Sequence, residues 1–417
     1  MVVTIVVLLI LAGVSISLII DNNGIIKRSK DARREYGQAK ENEQKDLFDL
    51  SDMIDDATAE PTPKVDANTK AEDNSTINGK KGNSNNPTIP KGYTPINTTT
   101  SNWGDGSTAP TQDSVDHGLV IRDDSNNEWV WIPVPEVTVM CDTSNQTEYT
   151  LTGTSGETAV KTKLYSKSEI ISGQTRTTPG TTTDPYYHEP DLVIGSDSAS
   201  FDAQEKHYKT ILGFDSKEKM AEAFVADYKK MIESIKTYGG FYIGRYELSD
   251  AGVQKDKPTL TDTDWYHLYN ACKDTKLQAS DKVKTQMIWG CQWDVTCNFI
   301  ANKGDKKDIA DSSSWGNYAN STGDAKVVVT ENETETNKYG TKQNTGYSEY
   351  WKANNIYDLA GNCWECTQEA GNADKRANRG GDYGRDGFYY PASDRSGSYF
   401  PVNVGFSRRF SSHFNNK

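Results

Sequence analysis

Val2 to Ile20 (VVTIVVLLILAGVSISLII) is a run of 19 residues without a single charge. As an α-helix it would be about 28 Å long at 1.5 Å per residue, close to the roughly 30 Å hydrocarbon core of a bilayer. A buried core helix of this purity would need apolar partners on every side, yet the run sits at a terminus and is followed by charged sequence. A cleaved signal peptide carries a basic region ahead of a shorter apolar core, and nothing basic precedes Val2. Residues 1–20 are therefore predicted to be a membrane-spanning helix.

Residues 21–57 continue that helix into water as a stem. Apolar or small residues recur at Ile25, Ala32, Tyr36, Ala39, Leu47, Leu50 and Ile54, close to a 3.6-residue period. The first part is basic (Lys27, Arg28, Lys30, Arg33, Arg34) and the later part acidic (Asp46, Asp49, Asp52, Asp55, Asp56). Taken literally, the excess of positive charge after the helix would keep everything downstream in the cytoplasm. The order of apolar run, Asp21-Asn22-Asn23-Gly24 and charged helix resembles the N-terminal helix of Gram-positive type IV pilin-like proteins. The resemblance implies a basic leader and a peptidase site upstream of Met1, a membrane or pilus as partner, and the remainder displayed outside the cell. An ordinary signal anchor is the alternative.

Charge and composition exclude several functions. The chain has 46 basic and 59 acidic residues, a net charge of −13, whereas nucleic-acid binding relies on clustered Lys and Arg to neutralise phosphates, so no nucleic-acid partner is expected. Five His, with no pair at i, i+4, argue against a His-built metal centre. Six Cys in 417 residues are too few for a disulfide scaffold.

Residues 58–116 are dominated by Asn, Thr, Pro, Ser and Lys and contain hardly an aliphatic side chain. Such a segment buries too little apolar surface to offset the entropy of ordering, so a disordered linker is expected. Globular sequence, 117–417, begins with GLVIRDDSNNEWVWIPVPE, whose alternation predicts a strand with Trp129 and Trp131 on one side, Val130 and Ile132 on the other, and Pro133 at its end. Residues 141–214 read as a loop-rich insertion. Met220, Phe224, Tyr228, Met231 and Ile235 form one stripe of a helix over 215–237. FYIGRYE then forms a strand, and helices follow near 265–273 and 292–301.

The second half carries GGFYIGRYE (239–247), WYHLYNACK (265–273), MIWGCQWDVTCNFI (287–300), NIYDLAGNCWECTQE (355–369), NRGGDY (378–383) and VGFSRR (404–409) in that order. This series resembles the formylglycine-generating-enzyme (sulfatase-modifying-factor) domain, a variant of the C-type-lectin fold. The fold it implies is α+β and rich in loops. The enzymes hold copper with two Cys after the Arg-Gly-Gly, and here no Cys follows Cys366; the resemblance therefore implies the fold without the oxidase. In an extended segment Cys363 and Cys366 would face opposite ways, which suits neither a chelate nor a disulfide, and buried thiols acting as small hydrophobes are expected. The same family can bind structural calcium at this turn, which nominates Asn362 and Glu365; a hydrogen-bonded turn is the alternative.

Between Gly380 and Asn416 there is no Lys, Glu, Gln, Met or Trp, although these five types make up about a fifth of the chain. None of the five is reachable from an Asn codon by changing adenines alone, whereas Asp, Tyr, Ser, Gly, Arg and Phe are. The pattern resembles the variable region of proteins diversified by retroelements, which rewrite a C-terminal lectin-type surface. Tyr and Phe supply stiff contact area, Ser, Gly and Asn adaptable hydrogen bonds, and Arg an anchor. Residues 380–407 are accordingly the candidate variable region. The ligand-binding candidates are Asp382, Tyr383, Arg385, Asp386, Phe388, Tyr389, Tyr390, Asp394, Arg395, Ser398, Tyr399, Phe400 and Asn403. Tyr383, Arg385, Tyr389 and Tyr399 are expected to line one exposed patch, and its ligand to be a protein or a glycan. The expected function is that of a surface-anchored, adhesin-like binder; a formylglycine-type oxidase and a structural minor pilin without a ligand are the alternatives.

Overall fold

Trp129, Val130, Trp131 and Ile132 are all fully buried, so their strand has no solvent face. The computed structural model describes residues 62–96, 115–135, 141–151, 160–167, 209–215, 217–261, 263–331, 334–372, 375–399, 406–408 and 410–414. The apolar run 2–20 and the stem 21–57 lie outside the described residues. Among the described residues no helix is long and apolar enough to cross a membrane.

In chain order the strands and helices are β1 (Thr94–Ile96), β2 (Val120–Arg122), β3 (Glu128–Pro133), β4 (Cys141–Leu151), β5 (Val160–Lys167), α1 (Lys217–Tyr238), β6 (Gly240–Gly244), α2 (Trp265–Cys272), β7 (Val283–Met287) and α3 (Gly290–Asn302). There follow β8 (Val328–Glu331), β9 (Thr334–Asn337), β10 (Lys352–Ala353), β11 (Ile356–Tyr357), β12 (Trp364–Asn372), β13 (Lys375–Arg379), β14 (Arg395–Tyr399), β15 (Phe406–Arg408) and β16 (Phe410–Phe414). The principal sheet runs β1-β2-β3-β6-β16-β7. Strand β3 lies inside it, with Trp131 opposite Tyr242 and Ile132 opposite Phe241. Both faces of β3 are covered, so the Trp/Val alternation that predicts two different faces corresponds here to two apolar ones. A second sheet, β14-β13-β12-β15, carries the loop described below; β12 and β15 are parallel and its other neighbours antiparallel. The fold of the described residues is thus mixed helix and sheet.

Helix α1 buries Met220, Phe224, Tyr228, Met231 and Ile235, the stripe expected from their spacing. Gly239, at φ 76°, ends it. Helix α2 starts at an Asp264 cap, whose side chain accepts from the His267 backbone N–H. Phe224, Trp265 and Tyr269 stack between these helices, with centroids 4.8–5.9 Å apart. The insertion read as loop over 141–214 contains a hairpin, β4 with β5.

The disordered linker expected over 58–116 is corrected for 62–96. This segment is a strap on the globular unit. Val65, Ala71, Ile77, Ile89, Tyr93 and Ile96 are all buried in the common core, and β1 pairs with β2. The Trp131 indole donates to the Ser84 carbonyl oxygen (2.9 Å) and the Tyr242 hydroxyl to that of Thr88 (3.0 Å). Lys70 pairs with Asp124. Asn and Ser close the turns between these anchors: Asn86 caps the Lys80 and Lys81 carbonyls, and Ser75 and Ile89 exchange backbone bonds. A few apolar side chains suffice because the rest of the domain provides the surface they cover, which a composition count within the segment does not register. Residues 97–114 lie outside the described residues.

A polar cluster joins the 255 loop to the 349–357 segment. Burial alone would raise the Glu349 carboxyl, but hydrogen bonds from Lys255, Tyr357 and Lys352 outweigh it and hold the group at about 2 instead of 4.5. A carboxylate depressed in the folded state stabilises the fold above its unfolded value and loses that contribution as pH falls through the folded one. The urea midpoint of the wild type is therefore expected to drop more between pH 7 and pH 3 than that of Glu349→Gln. The difference should be small, since the Glu349 side chain is more than half exposed. Equal drops would remove Glu349 as a source of acid lability.

Candidate ligand-binding surface

The Arg-Gly-Gly turn ends β13 and opens the loop to β14. Gly380 and Gly381 have φ of 85° and 75°, and a Cβ at Gly380 would press on Glu365 Oε2 and on the Leu359 carbonyl oxygen, one at Gly381 on the Tyr390 carbonyl oxygen. Only glycine satisfies both conditions. The Tyr318 hydroxyl donates to the Gly380 carbonyl oxygen at 2.6 Å.

From there the backbone is held by its neighbours at nearly every step. Tyr383 N–H donates to the Asn362 carbonyl oxygen, Ala319 N–H to that of Arg385, and Ser312 N–H to that of Gly387. Gly387 N–H reaches Asn320 Oδ1 (2.7 Å), Ala392 N–H the Ser312 hydroxyl (3.0 Å), and Ser393 N–H the Ile309 carbonyl oxygen (3.2 Å). Within the loop Asp382 Oδ1 accepts from Gly384 N–H, and Asp386 Oδ1 from Phe388 and Tyr389 N–H, the local Asx pattern of turns. The two aspartates are thus used by the loop itself.

The side chains that point out are aromatic and cationic. Phe388 and Tyr389 are 53% and 52% exposed, edge to face with centroids 5.3 Å apart. Arg385 is exposed; its guanidinium lies 5.4 Å from the Tyr390 ring centroid and its Nε 3.7 Å from Asp382 Oδ2. Asp382, Tyr383, Asp386 and Tyr390 are half-buried, and Tyr390 meets the buried Trp364 ring edge to face at 5.6 Å. Residues 382–390 are therefore brought together.

Asp394 and Arg395 are not part of that surface, and their assignment as ligand contacts is corrected: both are buried. Arg395 Nη2 binds Asp294 Oδ2 at 2.6 Å and its Nε binds Glu369 Oε1 at 3.0 Å. Arg379 Nη2 binds Asp294 Oδ1 at 2.6 Å and its Nη1 Glu369 Oε2 at 3.3 Å. The sequence reading missed Asp294 and Glu369. Their signal is an acid set among buried apolar neighbours, such as Trp293 and Val295, which demands a cationic partner. Ser398 and Tyr399 lie in β14 opposite Arg376 and Lys375; Phe400 and Asn403 lie outside the described residues.

The two calcium candidates, Asn362 and Glu365, are both buried, and the Asn362 amide is engaged by protein groups. Asn362 is a turn residue at φ 59° whose Oδ1 already accepts from Asn317 Nδ2 (3.1 Å) and Gln343 N–H (3.0 Å), while its Nδ2 donates to Glu247 Oε2 (2.7 Å). A calcium ion needs oxygens free to coordinate, and among the described residues no group of three or more His, Cys, Asp or Glu is placed to hold a metal. Glu247, from GGFYIGRYE, also accepts from the Thr259 hydroxyl and Cys363 N–H, which ties that motif to NIYDLAGNCWECTQE. Cys272, Cys291, Cys297, Cys363 and Cys366 are buried thiols outside any disulfide among the described residues. Burial pushes Cys297 up to about 12 and Cys363 upward as well.

No family model matches the chain, and no curated protein matches it at a significant level.

Proposed function

We propose that this chain is a ligand-binding protein displayed on a bacterial surface, with residues 382–390 as its contact surface. The carrying observation is the division of labour in that loop: its backbone is pinned by Ser312, Ala319, Asn320 and Asn362, while Arg385, Phe388 and Tyr389 project into solvent. Solvent-facing aromatic rings on a fixed backbone give contact area at low entropic cost. The ordered motifs support a formylglycine-generating-enzyme-like, C-type-lectin-type domain, and the pilin-like N-terminus supports a membrane or pilus anchor, where many copies would raise avidity. The reading is non-catalytic: no Cys follows the Arg-Gly-Gly, and the buried thiols at Cys297 and Cys363 are held protonated, against the thiolate that cysteine chemistry requires.

The codon bias after Gly380 supports diversification by a retroelement. Sequencing the locus and the 3′ end of the gene across many isolates is expected to reveal an adenine-rich near-copy beside a reverse transcriptase. Substitutions should concentrate at codons 383, 385, 388 and 389 and spare Gly381, Gly387, Asp394 and Arg395. A locus lacking both elements, with even substitution along 380–407, would overturn the reading of a diversified binder.

A further inference from the structure

The loop 380–394 begins and ends at one buried cluster of four charges. Arg379, the residue before it, and Arg395, the residue after it, are cross-strand partners at the mouth of the β13–β14 hairpin. Two like charges directly opposite repel. Here each of two carboxylates bridges both guanidiniums: Asp294 from α3 at 2.6 Å and 2.6 Å, Glu369 from β12 at 3.3 Å and 3.0 Å. The four formal charges cancel, and no side chain among them is more than 9% exposed. In such surroundings the pairs are strong together and costly apart. Arg379 also spans the loop directly, donating from Nε to the Asp394 carbonyl oxygen at 2.7 Å.

We infer that Arg379, Arg395, Asp294 and Glu369 are positioning residues that clamp the base of the binding loop, so that the conformation of 382–390 is set from below and its exposed side chains are exchangeable. Partner choice then resides in Tyr383, Arg385, Phe388 and Tyr389, and none of it in the buried Arg395. This rests on the loop being the binding surface, but the clamp is measurable without any ligand, so the two fail separately: the locus decides the first and hydrogen exchange the second.

Hydrogen exchange read by mass spectrometry on the full chain would compare the wild type with Arg395→Met, Arg395→Lys and a fourfold variant carrying Tyr383→Ser, Arg385→Ser, Phe388→Ser and Tyr389→Ser. In Arg395→Met, peptides over 382–392 should speed up by a factor about tenfold or more beyond that seen over 128–133 and 240–244, whose change follows the drop in the urea midpoint, the excess being local opening. Arg395→Lys, which keeps the charge but loses the forked geometry, should fall between. The fourfold variant should leave exchange over 290–302 and 394–399 unchanged. A merely structural cluster would speed the loop and the principal sheet by the same factor; that result, an unaffected loop in Arg395→Met, or loosening of the base by the serines would overturn the inference. If Arg395→Met does not fold, Arg395→Lys is read by the same criterion, and failure of both to fold counts as the overturning result.

Discussion

Deleting residues 62–96 is expected to abolish the cooperative thermal transition of the globular unit. The strap buries Val65, Ala71, Ile77, Ile89, Tyr93 and Ile96, and each of the larger side chains contributes about 1.5–3 kcal/mol when fully buried. A typical domain has only about 5–15 kcal/mol in total. The deletion also strips acceptors from the Trp131 indole and the Tyr242 hydroxyl, at about 1–3 kcal/mol for each buried polar group left unsatisfied, and leaves β2 as a bare edge. Calorimetry and near-UV circular dichroism of the full chain and the deletion would check this. A sharp transition at an unchanged midpoint in the deletion would show the strap to be peripheral. Any fragment begun at His117, where the composition suggests that the domain starts, should share the defect.

Asp294→Ala is expected to be the most damaging single substitution near the loop, at about 3–5 kcal/mol, the usual cost of removing one member of a buried ionic cluster. It takes a shared carboxylate from two guanidiniums that are almost wholly buried and leaves Glu369 as the acid bridging both. The loss should appear as a lower urea midpoint with an unchanged slope, the signature of altered stability with the same unfolded state. Phe388→Ser, at a site half open to solvent, should fall within about 0.5 kcal/mol of wild type. Similar losses for the two variants would mean that the loop and the cluster beneath it are not mechanically distinct.

Regular elements were legible where the residues that bury them are close in sequence. The stripe from Met220 to Ile235 places α1 to within two residues at each end, because helical spacing shows directly which side chains share a face. The helices near 265 and 292 are legible for the same reason. The strap was not, because its few apolar residues are buried by β3, β6 and the 279 loop, far away in sequence. Arg395 and Asp394 were misread since a biased window marks its members alike, and an irregular loop has no period to sort inward from outward side chains. Of the four residues expected on one exposed patch, Arg385 and Tyr389 are exposed, Tyr383 is half-buried and Tyr399 lies in β14. Asn362 shows the limit of reasoning from donor atoms: an oxygen suited to a cation is equally suited to an amide N–H, and only the positions of Asn317 and Gln343 reveal that the amides occupy it.

The pairing of Arg379 with Arg395 at the loop's mouth also bears on loop length. Because the chain leaves and re-enters the sheet at a single cross-strand pair, inserted residues do not have to span a different distance. Placed between Phe388 and Tyr390, away from the bonds to Ser312, Ala319, Asn320 and Asn362, they add mainly the slow logarithmic term of ring closure, about 0.6 kcal/mol for each doubling. The same base could therefore carry a longer insert at that tip. In engineering terms, the hairpin mouth is a socket: a library built on this frame could vary the size of its contact surface as well as its chemistry, with the strands beneath it left as they are.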